Sequence, residues 1–180
     1  MIARLGRENL WRVTFGEDAG LAEEQVYERI LRYYARLLPA PGPYRIVAAA
    51  PYRVHERCAS RFRVGRVLLA GDAAHVCNPC GGMGLTSGII DADAVVRVLD
   101  AVIHGRAGEA VLDFYAEERR RVFREAVSPI ATSFKRQLSE KDAEQRARDR
   151  IGFRQDAENP DKSPTASKLS TLVLGRPMPV

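Results

Sequence analysis

The feature that most limits what this chain can fold into is the segment 65–92, GRVLLAGDAAHVCNPCGGMGLTSGIIDA. It opens with a continuous apolar run, residues 67–70, which ends at Gly71-Asp72 as a buried strand of a covered sheet would. A glycine-rich turn follows, and helical periodicity resumes after it. A strand, a turn and a helix in this order are typical of an α/β fold.

Asp72 and the glycine turn together form a candidate ligand site. Asp72 would stand at the C-terminal end of a strand, where α/β sheets bind ligands. A carboxylate in that place can accept hydrogen bonds from sugar or ribityl hydroxyls. Glycines at 81, 82 and 84 let the backbone approach a flat ligand, because no Cβ intervenes. The first N–H groups of the next helix carry partial positive charge and suit an anionic or electron-rich oxygen.

Hydrophobic periodicity predicts the elements on both sides of this segment. Strands are expected over residues 10–15 and 44–50, with a third candidate over 52–57, and a helix over 23–38. On the helix after the glycine turn we expect one core-facing stripe, made of Leu85, Ile89, Ala92, Val95, Val96, Leu99 and Val102.

The C-terminal half of the chain reads as helical. After Gly108 a helix should bury Leu112, Tyr115, Val122 and Phe123, and Ser128-Pro129 predicts a kink or break. Residues 135–150 are charged and helix-prone with few core anchors. From residue 155 the composition turns to Pro, Ser, Lys and Asn, which predicts a mostly disordered tail.

Composition and charge exclude several classes of protein. The 180 residues carry a net charge of +5, but acidic residues are interleaved with the arginines. The densest run, residues 119–121, follows two glutamates and indicates a solvated helix face, so we expect no nucleic-acid partner. No apolar stretch is long enough to span a membrane. Three cysteines and no signal peptide favour a reducing compartment, and hence a cytoplasmic location.

The segment 65–92 resembles the second flavin-binding motif of the para-hydroxybenzoate-hydroxylase-like FAD monooxygenases. The resemblance rests on Gly65-Arg66-Val67, Gly71-Asp72-Ala73-Ala74-His75, Pro79, Gly81-Gly82-Met83-Gly84-Leu85, Gly88 and Asp91-Ala92. Weaker similarity extends it over residues 10–130, through the segments 51–57 and 115–120.

The resemblance implies a function and a set of binding residues. FAD would be the cofactor, NADH or NADPH would supply electrons, and O2 would be used to hydroxylate a small aromatic or phenolic substrate. By position, Asp72 would bind the ribityl chain, Pro79 would lie beside the isoalloxazine ring, and backbone N–H groups would face its pyrimidine edge. The expected cofactor-binding residues are Asp72, Pro79, Gly81, Gly82, Met83, Gly84 and Leu85. The hydroxylation step itself requires no acid or base from this chain, so no catalytic residue is assigned.

The chain also departs from the family pattern. The strand–G-x-G-x-x-G–helix unit that holds the FAD pyrophosphate is not found in this sequence. We therefore expect a C-terminal fragment, with a partial FAD/NAD(P)-binding-type α/β fold. Its expected parts are a remnant of a substrate-binding domain (1–60), the C-terminal half of the FAD-binding domain (61–106), C-terminal helices (107–152) and a disordered tail (153–180).

Two other functions remain open from the sequence. The chain could be an inactive fragment or pseudoenzyme that keeps the fold without the activity. Alternatively, Cys77-Asn78-Pro79-Cys80 could be a dithiol redox site at a helix start, or could bind a metal together with His75 and the remote Cys58. The favoured interpretation makes the two thiols incidental, assigns no metal, and makes His75 a structural histidine bonded to backbone.

Overall fold

The computed structural model describes residues 1–6, 9–37, 44–159 and 178–179, and its contacts divide the chain into two units, Met1–Arg53 and Val54–Val180. The two units are described separately below. The predicted four-part division of the chain stays a prediction.

The first unit combines a hairpin with one helix. Strand β1 (Ile2–Leu5) pairs antiparallel with β2 (Leu10–Val13), Leu5 facing Leu10 across the ladder. The predicted strand over 10–15 is thus confirmed in a shorter form. Helix α1 (Val26–Leu37) follows a single turn of tighter helix and confirms the predicted helix as far as the described residues reach.

The strand predicted over 44–50 is wrong, because those residues form no strand in the described part of the chain. Of the candidate over 52–57, only Arg57 enters a strand, together with Cys58. Alternating apolar and polar residues suit a strand, but a ladder also requires a neighbouring strand to accept its hydrogen bonds. Sequence alternation alone did not supply that second condition.

The second unit contains two short antiparallel pairs. Strand β3 (Arg57–Cys58) pairs with β6 (His75–Val76), and β4 (Arg63–Val64) pairs with β5 (Val67–Leu68). Gly65 joins β4 to β5 with a φ of 57°, a conformation that glycine adopts without strain. The expected buried strand over 67–70 is therefore only a two-residue hairpin strand, and its Val67 is 64 % exposed. Leu68 and Leu69 are half-buried and pack against the core.

The helices follow the sequence-based expectations closely in extent. Helix α2 (Met83–Ile103) is followed by α3 (Ala110–Val122), whose Leu112, Tyr115 and Val122 are buried as predicted, as is Phe123. A single wider turn, Phe123–Val127, leads into α4 (Ser128–Ser139). The chain therefore changes helix type before Pro129 but does not break. Pro129 lies in the first turn of α4, directly after the wider turn.

Helix α5 (Ala143–Glu158) confirms the predicted charged helix with few core anchors, since none of its residues is buried. The Asp142 side chain caps it by accepting a 2.7 Å hydrogen bond from the Gln145 N–H. The predicted disordered tail began at residue 153, which is wrong for 153–158 because the helix continues to Glu158. Residues 160–177 and 180 lie outside the described residues.

Helix α2 buries only part of the predicted face: Val95 and Val102 are half-buried against the core, but the fully buried residues lie elsewhere. Its buried residues share a helical spacing on the opposite side: Met83, Ser87, Asp91, Ala94, Val98 and Ala101. In contrast, Leu85, Ile89 and Val96 of the predicted core stripe are each more than 60 % exposed. The prediction followed the larger apolar residues, but the buried face also contains a serine and an aspartate. These polar residues are acceptable in the core because they are hydrogen-bonded there.

Two buried apolar clusters form the core of the second unit. The first surrounds Tyr115 and Val98, and the Tyr115 hydroxyl donates a 2.8 Å hydrogen bond to the Leu69 carbonyl. The second joins the start of α2, through Met83, to the turn after α3 and to α4. Together they fix α2 against α3 and α4, and so position the N-terminus of α2.

Candidate functional site

Asp72 lies in a tight turn, Gly71–Ala73, that packs against α2. Gly71 has a φ of 56°, and the Ala74 N–H donates a 2.8 Å hydrogen bond to its carbonyl, closing the turn. A Cβ built on Gly88 of α2 would lie 3.3 Å from the Gly71 Cα, so the backbones of the turn and the helix are in close contact. The Asp72 side chain is exposed, and within the described part of the chain it makes no hydrogen bond or ion pair.

The glycine turn ends in an open helix N-terminus. Gly81 and Gly82 have φ angles of 79° and 69°, and no side chain caps the first N–H groups of α2. Pro79, Gly81, Gly82 and Leu85 are exposed, Gly84 is half-buried, and Met83 is buried. The turn therefore presents backbone donors and a partial positive charge to a ligand, while the Met83 side chain anchors it to the core.

Cys77 links Asp72 to this helix start. A Cβ built on Gly84 would lie 3.6 Å from the Cys77 Sγ, which is ordinary contact. Burial raises the pKa of the Cys77 thiol, and the nearby carboxylates of Glu56 and Asp72 raise it further. Cys77 therefore packs beside the first turn of α2 and lies within the electrostatic influence of Asp72. The assignment of Asp72 and the glycine turn to one ligand site stays a prediction.

A buried charged network lies beneath the turn. Both oxygens of the fully buried Asp91 carboxylate have partners. Oδ1 accepts a 2.6 Å bond from Arg119 Nε, and Oδ2 accepts one of 2.6 Å from His75 Nε2 and one of 3.1 Å from the Gly71 N–H. Arg119 also donates to the Ser87 hydroxyl at 3.3 Å. Strand β6, helices α2 and α3, and the Asp72 turn therefore meet at one carboxylate.

The buried position of Arg119 in this network was not predicted from the sequence. The arginine run at 119–121 was predicted to be a solvated face, but Arg119 is only 3 % exposed. The prediction is wrong at that residue because an Asp91 carboxylate lies on the facing helix. Helical spacing could have indicated it, since Leu112, Tyr115, Arg119 and Val122 recur every three or four residues on the buried face of α3.

His75 is buried in the core as a structural histidine would be, but it bonds to a side chain and not to the expected backbone group. The ring is stacked at 4.3 Å on Phe123 and lies 5.9 Å from Phe62, and it is 2 % exposed. It bonds to the Asp91 side chain rather than to a backbone group, and its Nδ1 has no partner among the described residues. A carboxylate therefore fixes the orientation of the ring.

The cysteine-based alternatives receive no support from this geometry. All three cysteines are free. The pKa of Cys77 is raised, whereas a reactive dithiol requires a lowered one. Nowhere in the described ranges do three His, Cys, Asp or Glu side chains gather as a metal site would require. The His75 ring is directed at Asp91 and away from any such role.

The pH dependence of stability offers a direct check on the network. Burial alone would raise the pKa of Asp91, but hydrogen bonds from His75 and Arg119 outweigh it and lower the pKa. Since the folded pKa is below the unfolded value of about 3.9, the ionised carboxylate stabilises the fold above about pH 4. That contribution is lost as the pH falls through the folded pKa.

We therefore expect the difference in unfolding free energy between the natural chain and Asp91→Asn to be constant from pH 7 to pH 5. It should narrow below about pH 4. Urea unfolding followed by circular dichroism at each pH measures it. Asp93→Asn, on the exposed side of the same helix, is the control and should show no narrowing. A difference that stays constant to pH 3 would contradict the assignment.

The comparison with known families agrees with this geometry. Residues 3–129 match the family described as FAD binding domain. The match covers well over half of the chain, and it includes the Asp72 turn, the glycine turn and the buried network. The chain belongs to this FAD-binding family.

Relatives with named activities share extensive sequence with it. The chain is 47 % identical over 158 residues to a para-nitrophenol 4-monooxygenase of Pseudomonas sp. (strain WBC-3), covering 86 % of this chain and 39 % of that protein. It is 49 % identical over 138 residues to a 6-hydroxy-3-succinoylpyridine 3-monooxygenase of Pseudomonas putida (strain DSM 28022 / S16), covering 77 % and 35 %. The chain thus spans less than half the length of these relatives.

Solved structures extend the likeness to the fold. A crystal structure of p-nitrophenol 4-monooxygenase from Pseudomonas putida DLL-E4 matches with a TM-score of 0.81 and 42 % identity, over 98 % of this chain and 45 % of that one. An aklavinone-11 hydroxylase in complex with FAD and aklavinone matches with a TM-score of 0.60 and 34 % identity, over 68 % and 23 %. The expected fold class, a partial FAD/NAD(P)-binding-type α/β fold, is confirmed. Among the helices of the described residues, none is long and apolar enough to cross a membrane.

Proposed function

We propose that this chain forms the ribityl- and ring-binding part of the FAD site of an aromatic-ring monooxygenase that uses NADH or NADPH and O2. The observation that carries the proposal is the exposed Asp72 carboxylate. It has no hydrogen-bond or ion-pair partner in the described part of the chain, and its turn packs at Gly88 on α2, a helix whose N-terminus no side chain caps. Two relatives are named as monooxygenases of para-nitrophenol and of 6-hydroxy-3-succinoylpyridine, which supports a small aromatic or phenolic substrate.

Asp72 is suited to hold the ribityl chain. A carboxylate has only acceptor sites, and the ribityl hydroxyls are donors, so charge-assisted hydrogen bonds form without a proton transfer. The Gly71–Ala73 turn is packed on α2 at Gly88, so the carboxylate is offered from a fixed backbone. An exposed aspartate of this kind loses little on binding, because it exchanges hydrogen bonds to water for hydrogen bonds to the ligand.

The glycine turn is suited to the isoalloxazine ring. Pro79, Gly81 and Gly82 offer a surface with few side-chain atoms, on which a flat ring can lie close to the backbone. The N–H groups of residues 83–85 lie at the positive end of the α2 dipole, whereas the Gly82 N–H already donates to the Pro79 carbonyl at 3.1 Å. They would stabilise negative charge at the pyrimidine edge by about 0.3–2 kcal/mol. FAD, when bound, supplies the redox and oxygen chemistry, and this chain supplies position and electrostatics.

The proposal is tested first by binding. Asp72→Ala is expected to raise the Kd for FAD by about 10- to 100-fold, since it removes hydrogen bonds to a charged acceptor worth about 1.5–3 kcal/mol. Quenching of flavin fluorescence on titration with purified chain measures the Kd. Asp93→Ala is the matched control, because Asp93 is 63 % exposed and pairs with Arg97 on the helix surface. Equal affinity for Asp72→Ala and the natural chain would reject the assignment of Asp72.

Turnover separates the enzyme from a pseudoenzyme. With bound FAD, the proposed function predicts NADH or NADPH oxidation that is faster in the presence of a phenol than without it. A chain that binds FAD yet oxidises neither nicotinamide at a phenol-dependent rate would be a flavin-binding protein without this activity. A cytoplasmic location stays a prediction.

A further inference from the structure

Asp91 is connected to the proposed flavin site through a single backbone hydrogen bond. Its Oδ2 accepts from the Gly71 N–H at 3.1 Å, and Gly71 directly precedes Asp72. The same oxygen is 2.6 Å from His75 Nε2, while Oδ1 is 2.6 Å from Arg119 Nε. The carboxylate is 0 % exposed, so water cannot replace any of these donors.

Other contacts also hold the turn that carries Asp72. The Ala74 N–H donates to the Gly71 carbonyl at 2.8 Å within the turn, and the Ala59 N–H donates to the Ala74 carbonyl at 2.8 Å directly after it. The close approach of Gly71 and Gly88 limits the turn on the helix side. The Gly71 N–H is the donor that joins the start of the turn, immediately before Asp72, to the buried carboxylate of Asp91.

We infer that Asp91 is a positioning residue for the flavin site: it holds the Gly71–Asp72 turn from below, and His75 and Arg119 hold Asp91. The inference rests on the proposed function, since Asp72 must bind the ribityl chain for its placement to matter. Asp91 itself is buried and does not touch the ligand. Its effect on binding is transmitted by one peptide group.

Asp91→Asn is the sharpest test, because the side chain keeps its size but replaces one acceptor oxygen with an NH2 group. The new NH2 group then faces at least one of the three donors that bonded to the carboxylate, which come from Gly71, His75 and Arg119. Amide hydrogen exchange, measured by NMR without FAD, reports on the Gly71 N–H directly. Gly71 is expected to exchange at least about tenfold faster in the variant, relative to the core amide of Val98 in the same sample. Asp93→Asn is the control and should leave this ratio unchanged.

Flavin affinity supplies the second readout. The Kd for FAD is expected to rise about tenfold in Asp91→Asn and to stay unchanged in Asp93→Asn. His75→Gln, which removes one holder of Asp91 but not the Gly71 bond, should give smaller changes in both readouts. This variant also decides the question if Asp91→Asn does not fold.

The outcomes are distinct. Equal acceleration at Gly71 and Val98 would mean that Asp91 only stabilises the fold, and would overturn the inference. Selective loosening of Gly71 with an unchanged Kd would overturn it as well. If the natural chain binds no FAD while Asp91→Asn still loosens Gly71 selectively, the proposed function fails, and the role of Asp91 toward flavin fails with it.

Discussion

Arg119→Met is expected to lower the free energy of unfolding by about 3–5 kcal/mol, because it leaves the buried Asp91 carboxylate without its cation. The Asp91 and Arg119 side chains are 0 % and 4 % exposed, and they are joined by a 2.6 Å hydrogen bond. Methionine fills similar space but donates no hydrogen bond. Urea unfolding followed by circular dichroism at pH 7 measures the loss.

Arg97→Met is the matched control for this change. Arg97 also pairs with an aspartate, Asp93, at 2.9 Å, but both side chains are more than 60 % exposed. An exposed pair of this kind contributes about 0–1 kcal/mol, so the control should be nearly neutral. Adding Asp91→Leu to Arg119→Met should recover part of the loss, since the uncompensated charge is then removed. Equal effects of Arg119→Met and Arg97→Met would contradict the buried ion pair.

Gly81→Ala is expected to lower the free energy of unfolding by about 2–5 kcal/mol. Two causes add: a φ of 79° costs a residue with a Cβ about 1–2 kcal/mol, and crowding costs about 1–3 kcal/mol more. The added Cβ would lie 2.4 Å from the Cδ2 atom of Phe134, so the ring must move. Thermal or urea unfolding measures the loss.

The neighbouring glycine separates the two causes. Gly82 has a similar φ of 69°, but a Cβ there would meet nothing within 4 Å. Gly82→Ala should therefore cost only the conformational part, about 1–2 kcal/mol. Combining Gly81→Ala with Phe134→Ala should reduce the extra cost of the alanine at 81. If both single variants lose the same stability, the contact between Gly81 and Phe134 does not constrain the turn.

Asp72 and the glycine turn could be named as candidates from the sequence because their chemistry is local: a carboxylate, three glycines and a helix start lie within one short segment. Their role toward flavin stays a prediction. The helices were also predicted well, since their hydrogen bonds form within each segment. Strands failed over 44–50 and 67–70, because a strand depends on a partner elsewhere in the chain and the sequence of one segment does not specify it.

The buried network could not be predicted by counting apolar residues. Asp91 and Arg119 are each polar, and each is acceptable in the core only because the other is present. Their pairing depends on the packing of α2 against α3, which is a property of the folded chain. The buried face of α2 was mispredicted for the same reason. The sequence does not show which residues Ser87 and Asp91 would bond to, so the aliphatic side of the helix was predicted to face the core, whereas Ser87 and Asp91 are buried.

The aliphatic side of α2 has a practical consequence for anyone handling this protein. Leu85, Ile89, Val96 and Ile103 form a ridge, each between 62 % and 76 % exposed, along a helix about 30 Å long. Contiguous apolar surface in water promotes adhesion to whatever else is apolar. The ridge begins at Leu85, in the first turn of α2. A molecule that covers the whole ridge therefore reaches the glycine turn. Detergent, a second molecule or a column matrix that adheres there would then lie next to the proposed position of the flavin ring.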